Sequence, residues 1–227
     1  MERILRDVKA AIPEDAVIFT DVGWNKNGVA QQFDITVPGS IHHSSGLATM
    51  GFGASAVLGG KLAAPDRICL TLTGDGGFGV NPTCLATAVE QGIACTWVVM
   101  NNSAFGTIAG LENANYQTKF GTVFHTPDGQ PYTPCWADVA KAYGVDAIRC
   151  ESAEDFLPAM EKAIAANKAV KPFLVEAPME NIVVPTPGCW NINDIYSPSE
   201  LVKEGKLVKK ENGQYVAPSH SKSHNAK

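Results

Sequence analysis

No apolar run in the chain approaches the roughly 18 residues that cross a bilayer. The opening Met1-Glu2-Arg3-Ile4-Leu5-Arg6-Asp7 carries charge where an export signal needs an apolar stretch, so the expectation is a cytoplasmic protein without a membrane partner. Positive charge is also short. Eighteen Lys and Arg against 23 Asp and Glu give a formal net charge of -5, which repels a phosphate backbone and argues against general nucleic-acid binding. Cysteine is present but never paired in C-x-x-C: Cys69, Cys84, Cys95, Cys135, Cys150 and Cys189 stand far apart. That spacing argues against zinc and iron–sulfur centres. Apolar neighbours such as Ile68 and Leu70 around Cys69 mark these thiols as reduced, mostly buried small hydrophobes. What the chain does have is 45% hydrophobic residues in a length of 227, enough for one substantial core.

Short β-branched runs alternate with longer stretches of helical period, the pattern of an α/β domain with parallel strands joined by helical crossovers. A charged amphipathic stretch from Glu2 to Ala11 precedes a strand at Ala16–Thr20 and a turn at Asp21-Val22-Gly23. Gly51 to Ala63 is rich in Gly and Ala, which lets a helix lie close to a sheet. A strand at Ile68–Thr73 runs into Gly74-Asp75-Gly76-Gly77-Phe78-Gly79, and Asn81 or Thr83 then caps a helix through Glu90. Cys95 to Met100 is a continuous apolar strand of the doubly buried kind. The region 103–134 is polar, glycine-bearing and irregular, longer than an ordinary connection and so a candidate functional loop. Helices at Trp136–Tyr143 and Ala153–Ala166, the latter capped by Ser152, and strands at Ala147–Cys150 and Pro172–Ala177 complete the reading. The fold expected is a doubly wound, mainly parallel sheet with helices on both faces over residues 1–180. A C-terminal extension, 181–227, follows, its last part mobile.

Gly74-Asp75-Gly76-Gly77-Phe78-Gly79 matches G-x-G-x-x-G after a strand, so a Rossmann-type dinucleotide-binding oxidoreductase is one reading. Two features count against it: Asp75 sets a carboxylate where a bare pyrophosphate would lie, and the next strand ends in Met100-Asn101-Asn102 with no acid for a ribose hydroxyl. The carboxylate becomes useful when a hard divalent cation stands between it and a diphosphate. Consecutive parallel strands would bring Asp75 and Asn102 to one carboxyl edge, where an Asn amide oxygen is a natural second ligand. A plain helix cap at Asp75 and a plain turn at Asn101-Asn102 remain the structural alternative.

Gly74-Asp75-Gly76 followed by an apolar strand ending in Asn101-Asn102 resembles the signature of thiamine-diphosphate-dependent enzymes of the acetolactate synthase and 2-oxoacid decarboxylase superfamily. Ser45 to Gly53 is similar to that superfamily's aminopyrimidine-holding segment, with Met50 lying 25 positions before Asp75. The likeness covers roughly Asp21 to Ala177 and identifies the chain as a diphosphate-binding (PP) domain forming a stand-alone subunit with the thiamine-diphosphate-binding fold. The resemblance implies a magnesium ion held by Asp75, the side chain of Asn102 and the carbonyl of Ala104. Gly74, Gly76 and Gly77 would lie against the diphosphate. It also implies contacts from Val22, Gly23, Trp24 and Asn25, although acetolactate synthase-type relatives have Gln-His where Trp24-Asn25 stands. Met50 would support the bent cofactor, with its N–H and the carbonyl of Ala48 reading the aminopyrimidine. The activity implied is that of a lyase or transferase acting on a 2-oxoacid, a decarboxylase or carboligase.

Relatives of this type activate the cofactor with a glutamate from a pyrimidine-binding domain of a neighbouring chain. About twenty residues precede the likeness and fifty follow it, which leaves no room for that domain. The expectation is therefore a separately encoded pyrimidine-binding subunit, a hetero-oligomer such as α2β2 or larger, and a catalytic glutamate supplied by the partner. A non-catalytic or regulatory subunit that kept the fold is the alternative, against which the intact Asp75 and Asn102 speak. His42-His43, His125 and the aromatic segment Trp190–Tyr196 are further candidates near the site, while His220 and His224 belong to the polar tail.

Overall fold

The computed structural model describes residues 1–181 together with 202–205, 208–209, 211 and 215–216. Helix α1 (Glu2–Ala11) buries Leu5 and Val8 and stops where Ile12 turns extended ahead of Pro13. Strand β1 (Val17–Thr20) is buried throughout. Helix α2 (Trp24–Gln32), the short strand β2 (Ile41–His43) and helix α3 (Phe52–Ala63) follow. Strand β3 (Cys69–Gly74) passes into the one-turn helix α4 (Asp75–Phe78) and helix α5 (Cys84–Glu90). Strand β4 (Thr96–Asn101) leads to helices α6 (Gly106–Tyr116) and α7 (Trp136–Ala142). Strand β5 (Asp146–Arg149), helix α8 (Phe156–Lys168) and strand β6 (Phe173–Pro178) complete the sheet.

The six strands lie in the order β2-β1-β3-β4-β6-β5, and every neighbouring pair is parallel. Period-two alternation divides the strand residues between two cores. Ile18, Leu70, Leu72, Val98 and Val175 face one way, with Val8 of α1, Val29 of α2 and Met160 of α8. Val17, Phe19, Cys69, Trp97 and Leu174 face the other, with Val57 of α3, Leu85 of α5 and Ala140 of α7. Helices thus cover both faces of a parallel sheet, and the doubly wound α/β class read from the sequence is the class observed.

Small residues let α3 sit close. A Cβ on Gly60 would come within 2.3 Å of the Phe19 ring, and one on Gly53 within 2.9 Å of the Asp21 N–H nitrogen. Trp97 Nε1 donates to Ala54 O at 2.9 Å and ties the same helix to β4.

The chain divides into two compact units, Met1–Val184 and Pro185–Lys227. Within the second, β7 (Val208–Lys209) pairs antiparallel with β8 (Tyr215–Val216). Among the described residues no helix is long and apolar enough to cross a membrane. The expected mobile end of the chain, Cys189, Trp190–Tyr196, His220 and His224 lie outside the described residues.

Four local expectations are corrected. The region 103–134 is not irregular throughout: it contains the 11-residue α6. Neither Asn81 nor Thr83 caps α5 with its side chain; the Thr83 hydroxyl donates instead to Asn81 Oδ1 at 2.6 Å. Helix α2 and strand β2 follow the expected turn at Asp21-Val22-Gly23, in a stretch for which the sequence pattern predicts no regular element. Ser152 caps a 3-10 turn, Ala153–Asp155, rather than α8 itself, which begins at Phe156; its N–H and Oγ both donate to Asp155 Oδ2, at 2.8 and 2.9 Å. The described cysteines are all free, with Cys69, Cys84, Cys95 and Cys150 buried and Cys135 partly so.

Candidate functional site

Strands β1, β3 and β4 are adjacent and parallel, with Gly74 opposite Met100, so their carboxyl ends open on one edge of the sheet. Ligands of open parallel sheets bind at that edge. Here it is a cleft of about 580 Å³, open solvent at its mouth included. Its walls include Val22, Gly23, Trp24, Asn25, Met50, Gly74, Gly76, Gly77, Asn102 and Ala104. Ten of the predicted site residues are thereby brought together. Asp75 borders the adjoining cleft, which shares Gly76 and Phe105 with the first. Ala48 lines neither; it takes a left-handed turn at φ +49° on the approach to Met50.

Asp75 is buried at the start of α4 and receives the Asn102 N–H on Oδ1 at 3.4 Å, while its Oδ2 has no partner. Asn102 donates Nδ2 to Asn181 Oδ1 at 3.3 Å. In that orientation its Oδ1 lies 3.0 Å from Asp75 Oδ1 and 3.0 Å from Ala104 O. Three oxygens meet with no hydrogen between them. Rotating the amides of Asn102 and Asn181 together would instead put Asn102 Nδ2 on those two oxygens and satisfy the group without an ion. In the unrotated orientation a small hard cation resolves the conflict directly, since such ions take carboxylate, amide and carbonyl oxygens. Burial pushes the Asp75 carboxyl up to about 6, against the opposing pull of N–H groups at Asn102, Gly76 and Ala104. No group of three or more His, Cys, Asp or Glu side chains gathers among the described residues. The oxygens at Asp75, Asn102 and Ala104 are a different donor set, with a single carboxylate.

Beside these oxygens the backbone is bare. A Cβ on Gly76 would fall 2.6 Å from the Phe105 ring, and one on Gly77 would fall 2.5 Å from Asp21 Oδ1. The amino end of α6 faces the same cleft through Phe105, Gly106, Thr107 and Ile108. Ala109 is the first residue of that helix to bond back, to Phe105 O at 2.8 Å. The preceding N–H groups are unspent helix donors, suited to an anion. Thr107 Oγ1 and Asn25 Oδ1 are also buried without partners, while Asn25 Nδ2 donates to Val22 O at 3.2 Å.

Met50 stands across the cleft, its Cε 3.6 Å from where a Gly76 Cβ would be. Its turn is held by Thr49 N–H on Ser44 Oγ at 2.9 Å, and by Asp21. That wholly buried carboxylate accepts from Val22 N at 2.9 Å, Gly51 N at 3.2 Å and Gly53 N at 2.9 Å.

The histidines contribute less than their positions imply. His42 and His43 are exposed on β2, His42 stacking on Phe19 with ring centroids 5.1 Å apart. Neither lines the Met50 cleft. His125 lines the adjoining one and is exposed, with Nδ1 3.0 Å from Thr126 O.

Sequence reasoning missed Asp21 as more than a turn residue, and it missed Phe105, Gly106 and Thr107. For the latter the signal was present, since Gly106 follows Asn102 closely enough for a helix amino end to return to the β4 tip. For Asp21 the donors come from 30 and 32 positions away, and nothing local announces them.

The family described as "Thiamine pyrophosphate enzyme, C-terminal TPP binding domain" matches residues 21–177. A probable acetolactate synthase large subunit of Methanocaldococcus jannaschii is 31% identical over 193 residues, 82% of this chain and 32% of the relative. A 3D-(3,5/4)-trihydroxycyclohexane-1,2-dione hydrolase of Bacillus subtilis is 31% identical over 159 residues, 70% of this chain and 25% of the relative. Among solved structures, a thiamine diphosphate-dependent 4-hydroxybenzoylformate decarboxylase of Rhodococcus jostii RHA1 superposes with a TM-score of 0.70 at 26% identity, covering 81% of this chain and 33% of that one. The chain spans about a third or less of the length of these relatives. Their descriptions name a synthase, a hydrolase and a decarboxylase, so the shared region alone does not fix the reaction.

The family match displaces the dinucleotide reading of Gly74–Gly79 and corrects the narrower assignment of the chain as a diphosphate-binding (PP) domain forming a stand-alone subunit. The matched region is described as the C-terminal TPP-binding domain, and the match supports superfamily membership and nothing finer. The chain belongs to the thiamine pyrophosphate enzymes, through their C-terminal TPP binding domain.

Proposed function

We propose that this chain supplies the cofactor-holding part of a thiamine-diphosphate- and magnesium-dependent enzyme of the acetolactate synthase kind, a decarboxylase or carboligase acting on a small 2-oxoacid. The observation that carries the reading is the convergence of Asp75 Oδ1, the Asn102 side-chain amide and Ala104 O, the amide about 3.0 Å from each of the other two, with Asp75 Oδ2 buried and unpartnered beside them. A buried carboxylate oxygen without a partner is costly unless a cation joins it.

In this reading Asp75, Asn102 and the Ala104 carbonyl hold magnesium. The bare backbone of Gly76 and Gly77 and the amino end of α6 hold the diphosphate, and Thr107 and Asn25 offer their unpartnered oxygens to the same region. Val22, Gly23 and Trp24 also line the cleft, with Gly23 beside Thr107 and Trp24 beside Gly106. Met50, unbranched and polarizable, packs against the cofactor as a wedge, and Met1, Met100, Met179 and Phe105 add to the apolar lining of the cleft. Thiamine diphosphate, when bound, supplies the nucleophilic carbon and the electron sink that decarboxylation of a 2-oxoacid requires. The residues of this chain bind and orient, and the activating glutamate comes from a pyrimidine-binding subunit in a hetero-oligomer.

Purification from the native source, with identification of the accompanying chain, tests the reading. Carbon dioxide release from a panel of 2-oxoacids, with and without an aldehyde acceptor, separates decarboxylase from carboligase. Stabilisation by thiamine diphosphate with magnesium, and not by nicotinamide or flavin nucleotides, is the expected ligand profile. A complex inert toward every 2-oxoacid and stabilised by neither ligand class contradicts it.

A further inference from the structure

Asp21 lies outside the set of cofactor and metal contacts, yet it touches three of the segments that carry them: Val22, the turn after Met50, and Gly77. Its side chain is wholly buried at the tip of β1. Oδ1 accepts from Val22 N at 2.9 Å and from Gly51 N at 3.2 Å, and Oδ2 accepts from Gly53 N at 2.9 Å. A Cβ on Gly77 would meet Oδ1 at 2.5 Å, so the phosphate-side loop rests directly on this carboxylate. Gly51 has φ +84°, a conformation in which glycine carries no penalty, and a Cβ there would press on Val80 at 3.1 Å. The turn that presents Met50 is therefore fixed from one side by Asp21 and from the other by the segment that follows α4.

We infer that Asp21 is the positioning residue that sets the separation between the Met50 turn and the Gly74–Gly77 loop, and so selects a ligand that spans both. The inference rests on the cofactor reading above. Its logic is that of a two-point clamp: a ligand held at one wall alone is indifferent to the spacing, whereas one held at both loses affinity when the walls shift. Asp21→Asn keeps the shape but sets an N–H₂ against backbone N–H groups, which pushes the Gly51–Gly53 turn away while leaving Gly77 its contact.

The test uses the full chain with its native companion and two probes, each with magnesium: thiamine diphosphate, which reaches both walls, and inorganic diphosphate, which reaches only the glycine and oxygen wall. Calorimetry on Asp21→Asn should show thiamine diphosphate bound roughly tenfold more weakly, or worse, with inorganic diphosphate unchanged. Asp21→Ser, which shortens the side chain and withdraws the acceptors from the Gly51–Gly53 turn without pressing on Gly77, should show the same split and stands in where Asp21→Asn fails to fold. A variant that loses both probes equally has a merely structural residue at 21, and one that loses neither has no positioning residue there; each overturns the inference. Wild-type complex that binds neither probe overturns the cofactor reading and this inference together, whereas wild-type binding alongside an unaltered variant overturns the inference alone.

Discussion

Asn101 Nδ2 donates to Glu176 Oε1 at 2.8 Å, so the residue next to the proposed metal ligand Asn102 is anchored to a wholly buried carboxylate on the neighbouring strand. The same oxygen accepts from Arg149, and Glu176 Oε2 accepts from Ala137 N at 2.9 Å. Asn101 in turn receives the Ser103 N–H on its Oδ1 at 3.2 Å, which fixes the path to Ala104.

Removing that carboxylate leaves Arg149 and the Ala137 N–H without this acceptor and Asn101 Nδ2 with only Thr133 Oγ1, at 3.3 Å. Glu176→Ala is expected to cost roughly 3 kcal/mol or more of stability, read by chemical denaturation. Glu176→Gln, which keeps one acceptor, should lose less. An Ala variant as stable as wild type contradicts the network's role.

Asp75 makes the protein sensitive to pH in two ways. Its carboxyl is raised by burial from 3.8 to about 6, so in the ion-free protein the folded state holds a proton that the unfolded chain releases between about pH 4 and pH 6. Stability of the ion-free protein should therefore fall as pH rises through that window, all other groups being equal, and Asp75→Asn should flatten the slope. With magnesium the proton becomes a competitor, and affinity for the ion in the presence of thiamine diphosphate should fall as pH drops below about 6. Melting curves and magnesium titrations across that range check both; a magnesium affinity indifferent to pH there would remove Asp75 from the ligand set.

Two glycine substitutions should behave oppositely. Gly77→Ala places a methyl 2.5 Å from Asp21 Oδ1 and 3.0 Å from Thr73 Oγ1, both on buried, short side chains, and should cost about 1–3 kcal/mol of stability along with diphosphate affinity. Gly59→Ala, in α3 with nothing within 4 Å of the new methyl, should gain up to about 1 kcal/mol and leave ligand binding unchanged. Parallel melting and binding measurements on the two variants decide the point.

The frame of the sheet was legible because β1, β3, β4 and β6 are buried runs of apolar and β-branched residues, whose chemistry is local. Helix α2 was not, since Asn25, Asn27 and Gly28 are poor helix formers, and its buried Gly28 and Val29 owe their place to α1. Helix α6 was hidden in the same way by Gly106, Gly110 and two asparagines, Asn113 and Asn115. The three residues of β2 pair, among the described residues, only with β1 and carry too short a pattern to read. At the site, the convergence of Asp75 and Asn102 follows from consecutive strands becoming parallel neighbours, a relation that sequence order implies. The grip of Asp21 on Gly51 and Gly53 depends on how α3 docks, which the composition of that helix permits but does not direct.

The most direct measurement is a calorimetric titration of magnesium and thiamine diphosphate into the purified complex, comparing wild type with Asp75→Ala. The account predicts magnesium-dependent binding of the cofactor to wild type and its loss from the variant while the fold stays intact by circular dichroism. Equal binding to both proteins, or binding to wild type that does not depend on the metal, would contradict it.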